Sequence, residues 1–147
     1  RDKGLSPLRL REELELELGG ASVRLIPGKE TSYDQSNDAS ILAEVTIGSR
    51  RFLFAGDAER ERIQEYLDTG PEPVDFLKVP HHGGEEKNSA LFFYTLSPDY
   101  AVITCSETEP PDDEVLAALE MVGAEVFLTS RGTVTAVSDG EMLEVRQ

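Results

Sequence analysis

Two histidines and one aspartate are the residues of this 147-residue chain best suited to metal-dependent chemistry. His81 and His82 are the only histidines in the chain, and they directly follow the mostly apolar run of residues 75–80. Asp57 follows a second apolar run, residues 52–56, in the same way. An imidazole or a carboxylate at a strand end, beside a glycine turn, is a common way to present a metal ligand. The pattern predicts a site where the carboxyl ends of two buried strands meet.

A dinuclear hydrolase offers a role for each of these residues. Two divalent metals about 3.5–4 Å apart hold a hydroxide between them and stabilise the charge that develops on a phosphorus or carbonyl centre. Asp57 suits the ligand that bridges both metals, because its side chain is short and fixed at a strand end. His81 follows its strand directly and suits a terminal ligand. We expect His82 to contact substrate or to orient its neighbour.

Each feature also has a simpler structural explanation, which the sequence leaves open. Asp57 precedes a stretch with helical spacing, where an aspartate commonly caps a helix. Adjacent histidines are usually a surface turn or a hydrogen-bonded pair. A catalytic zinc needs three protein ligands and a dinuclear pair needs more, so these residues alone are too few. Cys105 is a soft-metal ligand by type, but its place at the end of an apolar strand favours inert packing.

The elements that position these residues follow from hydrophobic periodicity and turn residues. Strands are expected at residues 13–18, 21–26, 41–47, 51–55, 74–79, 100–105, 126–129, 133–137 and 142–145, and helices at residues 58–68, 89–96 and 110–122. The leucines of the first strand alternate with glutamates and are expected on its buried face. A polar loop, residues 29–37, is expected to border the site. This order predicts an α/β fold in which helices pack on one face of a mixed sheet.

Composition narrows the class of protein. Length and an apolar fraction of 39% predict a single domain, residues 1–147, with its own core. The net charge of −15 disfavours direct binding of nucleic acid by this acidic piece, because phosphates would be repelled. No apolar run reaches the roughly 20 residues of a membrane span, so no membrane segment is expected in this chain. A single cysteine excludes an internal disulfide.

Three motifs together resemble the C-terminal half of a metallo-beta-lactamase-fold domain. They are Asn37-Asp38-Ala39-Ser40, Gly56-Asp57 and Asp75-Phe76-Leu77-Lys78-Val79-Pro80-His81-His82-Gly83. The combination NxxS, GD and DxLKVxHHG is far more specific than any element alone, and it is similar to the competence-type (ComEC-like) branch of that superfamily. Residues 97–104 and 126–137 also fit this branch, so the resemblance covers nearly all of the chain from about residue 37 onward.

The resemblance implies an αββα sandwich, of which this chain supplies mainly the C-terminal half. It also implies a bacterial metal-dependent hydrolase that uses two divalent metals, zinc or manganese, and acts on phosphodiesters or related esters. By position, Asp57 corresponds to the bridging ligand and His81 to the late histidine ligand, both with catalytic roles. The resemblance places Asn37 and Ser40 in the loop beside the metals, with His82 near the substrate.

Two departures from the family pattern bear on activity. The His-x-His-x-Asp-His motif that opens the family's metal site is absent, and a chain with two histidines cannot carry it elsewhere. Residues 106–111 read Ser-Glu-Thr-Glu-Pro-Pro, where the competence-type branch tends to carry an asparagine and a His-Pro pair. Because the chain starts at Arg1, we expect a partial domain whose N-terminal half was removed or lies on another chain.

The sequence therefore leaves two alternative functions open. The first is the C-terminal part of a metallo-hydrolase that is inactive alone, binds metal weakly or not at all, and acts on a phosphodiester or a small molecule when intact. Its exposed sheet face is expected to be covered by the N-terminal half or by a second copy in a homo-oligomer. The alternative is a non-catalytic interaction or scaffold domain derived from that fold. A soluble parent would be cytoplasmic, whereas a competence-type membrane parent would place this domain outside the cytoplasm.

Overall fold

The computed structural model describes residues 9–147, and its frame is a mixed sheet of seven strands. These strands are β1 (Leu14–Leu18), β2 (Ala21–Ile26), β3 (Leu42–Ile47), β4 (Arg50–Phe54), β5 (Phe76–Lys78), β6 (Tyr100–Ile103) and β7 (Glu125–Leu128). They lie in the sheet in the order in which they occur along the chain. Strands β1 to β4 pair antiparallel, and strands β4 to β7 pair parallel.

Three α-helices and a separate hairpin complete the fold. The helices are α1 (Arg60–Leu67), α2 (Ser89–Leu96) and α3 (Asp113–Met121), and the hairpin strands are β8 (Thr135–Ser138) and β9 (Leu143–Arg146). Short 3₁₀ turns lie at Ser36–Ala39, Pro80–Gly83 and Thr129–Arg131. Each helix connects two neighbouring parallel strands, as parallel pairing requires a crossover. The α/β class and the predicted order of strands and helices are confirmed, with element bounds within three residues of those expected.

The main core lies between the sheet and the helices. Alternate residues of the central strands, among them Leu53, Leu77 and Ala101, pack against all three helices and have no exposed surface. The helices contribute the buried side chains Ile63, Tyr66, Phe92, Phe93, Leu96, Val115 and Leu119. The expectation that the helices share one face of the sheet is therefore confirmed.

The opposite face of the sheet is apolar but only partly covered. Phe52, Phe76 and Val102 are buried there beneath the β8–β9 hairpin. Beyond the hairpin, Phe54 is 42% exposed and Leu18 is 60% exposed. The expectation that the β1 leucines face a buried core is wrong, because the register places them on this open side of the sheet.

A groove follows the boundary between the open face and the hairpin. It has a volume of about 410 Å³ and is lined by Val45, Ile47, Phe52, Phe54, Phe76, Val134, Ala136 and Ser138. The ring centroids of Phe52 and Phe54 lie 5.7 Å and 5.9 Å from that of Phe76, so the floor of the groove is aromatic. Among residues 9–147, no helix is long and apolar enough to cross a membrane.

Candidate functional site

The carboxyl ends of β4, β5 and β6 form one edge of the sheet, and polar residues follow each of them. The three strands are parallel neighbours, so the segments that leave them emerge side by side. Asp57 follows β4, the His81-His82 pair follows β5, and Thr104 follows β6. The predicted meeting of aspartate and histidines at one sheet edge is therefore what the topology produces.

The turn after β5 has an uncommon backbone that separates the two imidazoles. His81 and His82 both have positive φ angles, 46° and 54°, and Gly83 follows with φ of 81°. A left-handed conformation costs a non-glycine residue about 1–2 kcal/mol, and such residues cluster at functional sites. A Cβ atom on Gly83 would lie 2.6 Å from Pro111 Cβ and 3.0 Å from Ile103 Cγ2, so only glycine fits there. This close approach fixes the turn that orients both histidines.

His82 is the histidine that faces Asp57. Its Nδ1 lies 2.6 Å from the backbone carbonyl oxygen of Thr104, and a carbonyl oxygen only accepts, so Nδ1 carries a proton and donates it. In a neutral imidazole this leaves Nε2 with a free lone pair, 3.4 Å from Asp57 Oδ1. Two lone-pair atoms at that distance are stabilised by a proton on Nε2 or by a cation that both atoms contact.

His81 points to a different set of groups. Its Nε2 lies 3.7 Å from Glu59 Oε1, and its Nδ1 lies 3.5 Å from Glu86 Oε1. Burial raises the pKa of the Glu86 carboxyl, and the negative charge of Glu59 raises it further, while His81 acts in the opposite direction. The sequence-based pairing of Asp57 with His81 is thus not the one that the structure brings into contact, because the turn directs His81 to the glutamates.

Lys78, the last residue of β5, is a member of the site that the sequence analysis missed. Its Nζ donates a hydrogen bond to the Gly56 carbonyl oxygen at 2.6 Å and lies 3.5 Å from Asp57 Oδ1. Burial lowers the pKa of Lys78, and the Asp57 carboxylate opposes this shift. Lys78 pairs in register with Phe54 and Val102 on the apolar face. A single lysine among apolar residues on one face of the sheet is the signal that would have identified it.

The loop that precedes β3 supports Asp57 and the start of α1. Ser40 Oγ accepts a hydrogen bond from the Asp57 backbone N–H at 3.3 Å. The buried Asp38 carboxylate accepts from the backbone N–H groups of Glu59 at 3.1 Å and Arg62 at 2.9 Å. The alternative reading of Asp57 as the helix cap is wrong, because the N-cap residue is Glu59 and the capping carboxylate is Asp38.

Asn37, the other loop residue named from the sequence, lies on the His81 side of the site. Its Nδ2 donates to Glu59 Oε1 at 2.8 Å, which holds that glutamate beside the imidazole of His81. Ser40 contacts Asp57, so the two loop residues serve different parts of the site. Their expected place in the adjoining loop matches the structure, and their relation to a metal stays a prediction.

The donors present do not form a complete metal site. Among residues 9–147, no group of three or more His, Cys, Asp and Glu side chains is arranged to hold a metal ion. Asp57 and His82 offer two donors, whereas a catalytic zinc takes three from protein. The ammonium of Lys78 also lies beside one of them. Cys105 contributes nothing here, since its Sγ lies 3.6 Å from Ser130 Oγ in a separate contact.

Comparison with known proteins relates the chain to a competence operon protein. It is similar to ComE operon protein 3 of Bacillus subtilis (strain 168), with 24% identity over 139 residues. The aligned part covers 91% of this chain and 18% of that protein, so the chain spans less than a fifth of the length of the relative. No family model matches the chain.

Proposed function

We propose that this chain is the C-terminal part of a competence-type hydrolase domain of the metallo-beta-lactamase superfamily. In this proposal Asp57 and His82 are ligands of a divalent metal centre, zinc or manganese, and the intact protein hydrolyses phosphodiesters or related esters. Since the described residues offer two donors, the remaining ligands come from polypeptide outside them. The similarity to a competence operon protein supports the choice of branch.

The observation that carries the proposal is the contact of His82 Nδ1 with the Thr104 carbonyl oxygen at 2.6 Å. Because that oxygen can only accept, a neutral His82 carries its proton on Nδ1 and presents the Nε2 lone pair toward Asp57. A metal-binding histidine commonly donates its other ring N–H to a carbonyl or carboxylate, which fixes the ring and makes the free nitrogen a better ligand. The side chains of Asp57 and His82 are 44% and 58% exposed, so further ligands can approach them.

In this proposal the two histidines exchange the roles that the sequence suggested for them. His82 takes the ligand position, because it is the one whose free nitrogen faces Asp57. His81 takes a supporting position between Glu59 and Glu86. Ser40 holds the Asp57 backbone at the start of the turn and thereby fixes where the carboxylate lies.

The uncovered sheet face supports the αββα part of the proposal. The β8–β9 hairpin already packs on that face as a separate two-stranded sheet, through Val134, Leu143 and Val145. Two sheets that pack face to face bury their apolar sides about 10 Å apart. We infer that an N-terminal half, or a second copy in a homo-oligomer, extends this layer over Phe54 and the leucines of β1.

The first experiment measures metal content and phosphodiester hydrolysis in the intact protein that carries this segment. We expect Asp57→Ala to abolish turnover and His82→Ala to reduce it about 10²-fold or more, because each removes a ligand. His81→Ala is the matched control and should cost about tenfold or less. Near-normal metal-dependent turnover of Asp57→Ala would contradict the proposal. A larger loss of turnover for His81→Ala than for His82→Ala would favour His81 as the metal ligand, as the sequence suggests.

The incomplete donor set favours a second candidate, a non-catalytic scaffold domain descended from the hydrolase. Lys78 places an ammonium beside Asp57, which can satisfy that carboxylate without a metal. In this case the intact protein would contain no stoichiometric zinc or manganese, and Asp57→Ala would leave its biological role intact. Elemental analysis of the intact protein therefore separates the two candidates directly.

A further inference from the structure

Lys78 carries a charge in a place where a charge is costly. Its side chain is 17% exposed and lies on the apolar face of the sheet, in register with Phe54 and Val102. A buried ammonium is destabilising unless it is paired and hydrogen-bonded. The Gly56 carbonyl oxygen at 2.6 Å and the Asp57 carboxylate at 3.5 Å supply both requirements. The ammonium of Lys78 lies beside Asp57 Oδ1, the same oxygen that faces His82 Nε2.

We propose that Lys78 is the resident counter-ion of Asp57 and that its ammonium opposes the binding of a divalent cation there. Asp57 Oδ1 is the shared atom: Lys78 Nζ lies 3.5 Å from it and His82 Nε2 lies 3.4 Å from it. A metal bound at the usual 2.0–2.2 Å or so from a carboxylate oxygen would therefore lie close to the ammonium. Two like charges around one oxygen repel, so the ammonium lowers the affinity of that oxygen for a metal.

This inference rests on the proposed function for the ligand pair, but it concerns what sets the affinity of that pair. Lys78 acts through Asp57, because its ammonium neutralises the carboxylate charge that would otherwise attract the metal. The chain in isolation should bind zinc or manganese weakly for two separate reasons. It lacks a third donor among its described residues, and it carries a competing cation beside Asp57.

The test titrates the metal-free 147-residue chain with Zn²⁺ and with Mn²⁺ and compares Lys78→Met with wild type. Methionine keeps the length of the side chain and suits the apolar neighbours Phe54 and Val102. We expect Lys78→Met to bind metal about tenfold more tightly or better. Lys87→Met, a change at an exposed lysine, is the matched control and should leave affinity unchanged. The gain should vanish when Lys78→Met is combined with Asp57→Asn.

A second measurement makes the inference independent of the metal. Unfolding of the metal-free chain is followed for Asp57→Asn, Lys78→Met and the double variant. If Nζ is the counter-ion of the carboxylate, the double variant should change the free energy of unfolding by an amount that differs from the sum of the two single variants. Additive effects would overturn the inference, as would measurable metal binding that is equal in wild type and Lys78→Met. Coupling without metal binding by any variant would refute the competition, whereas the proposed ligand pair is tested separately by the metal content of the intact protein.

Discussion

The two faces of the sheet differ in how completely this chain covers them. Toward the helices, Leu53, Leu77 and Phe92 have no exposed surface, and the core there is closed. On the other face, Phe52 and Phe76 are 8% and 7% exposed under the hairpin, while the neighbouring side chains of the groove stay open to solvent. The helix-covered face therefore supplies the closed core of this chain, and we propose the open face as the place where additional polypeptide packs.

The largest test of this comparison removes one aromatic ring from each face. Phe92→Ala should lower the free energy of unfolding by about 3–5 kcal/mol, because it leaves a cavity in a closed core. Phe54→Ala, at a side chain that is 42% exposed, should cost about 1 kcal/mol or less. Chemical denaturation of both variants measures the difference. Equal losses would mean that the open face contributes as much to folding as the helix-covered one.

A smaller effect is expected in the association of the chain with itself. Phe54→Asp places a charge in the aromatic groove and should weaken any face-to-face dimer by about tenfold or more in Kd. The matched control is Tyr94→Asp on α2, where the side chain is 73% exposed on the helix-covered side. Sedimentation over a range of protein concentrations gives both constants. A wild-type chain that stays monomeric at every concentration would rule out a second copy as the cover of this face.

The smallest effect concerns the hairpin that partly covers the open face. Backbone N–H groups of Met142 and Glu141 donate to Asp139 Oδ1 and hold the pKa of this carboxyl below its ordinary value. A depressed pKa stabilises the folded hairpin above the unfolded pKa of about 3.8, and the contribution is lost as pH falls through the folded value. Asp139→Ala should therefore reduce the acid sensitivity of β8–β9, as measured by amide exchange between pH 5 and pH 2 or so. An unchanged pH profile would contradict this account.

The sequence was sufficient for the order of elements and for the edge where the site lies. The alternation of apolar and polar residues and the positions of turn residues are local properties of the sequence. Neighbouring parallel strands bring their carboxyl ends to the same edge of the sheet, whatever side chains they carry. It did not determine which histidine faces Asp57. That choice depends on the left-handed turn of His81 and His82, which is held by the contact of Gly83 with Pro111, a residue distant in the chain.

Coverage of a sheet face was also beyond what a local pattern can determine. The alternation of leucine and glutamate in β1 identifies an apolar side but not whether anything packs on it. A related reason applies to Lys78, because the motif that contains it does not reveal that its neighbours across the sheet, Phe54 and Val102, are apolar. Asp38 was missed as the cap of α1 because the cap is supplied from a loop instead of the residue before the helix.

The order of strands in the sheet has a consequence for synthesis of the chain. Every strand from β2 to β7 pairs with the strand made just before it, so the sheet can grow at one edge as the chain leaves the ribosome. The β8–β9 hairpin is made last. The aromatic groove is therefore bare on the nascent chain until the C-terminal residues emerge, and an apolar strand surface in that interval is prone to aggregation. The N-terminal half that we propose would be made earlier and would already be present to shield the groove.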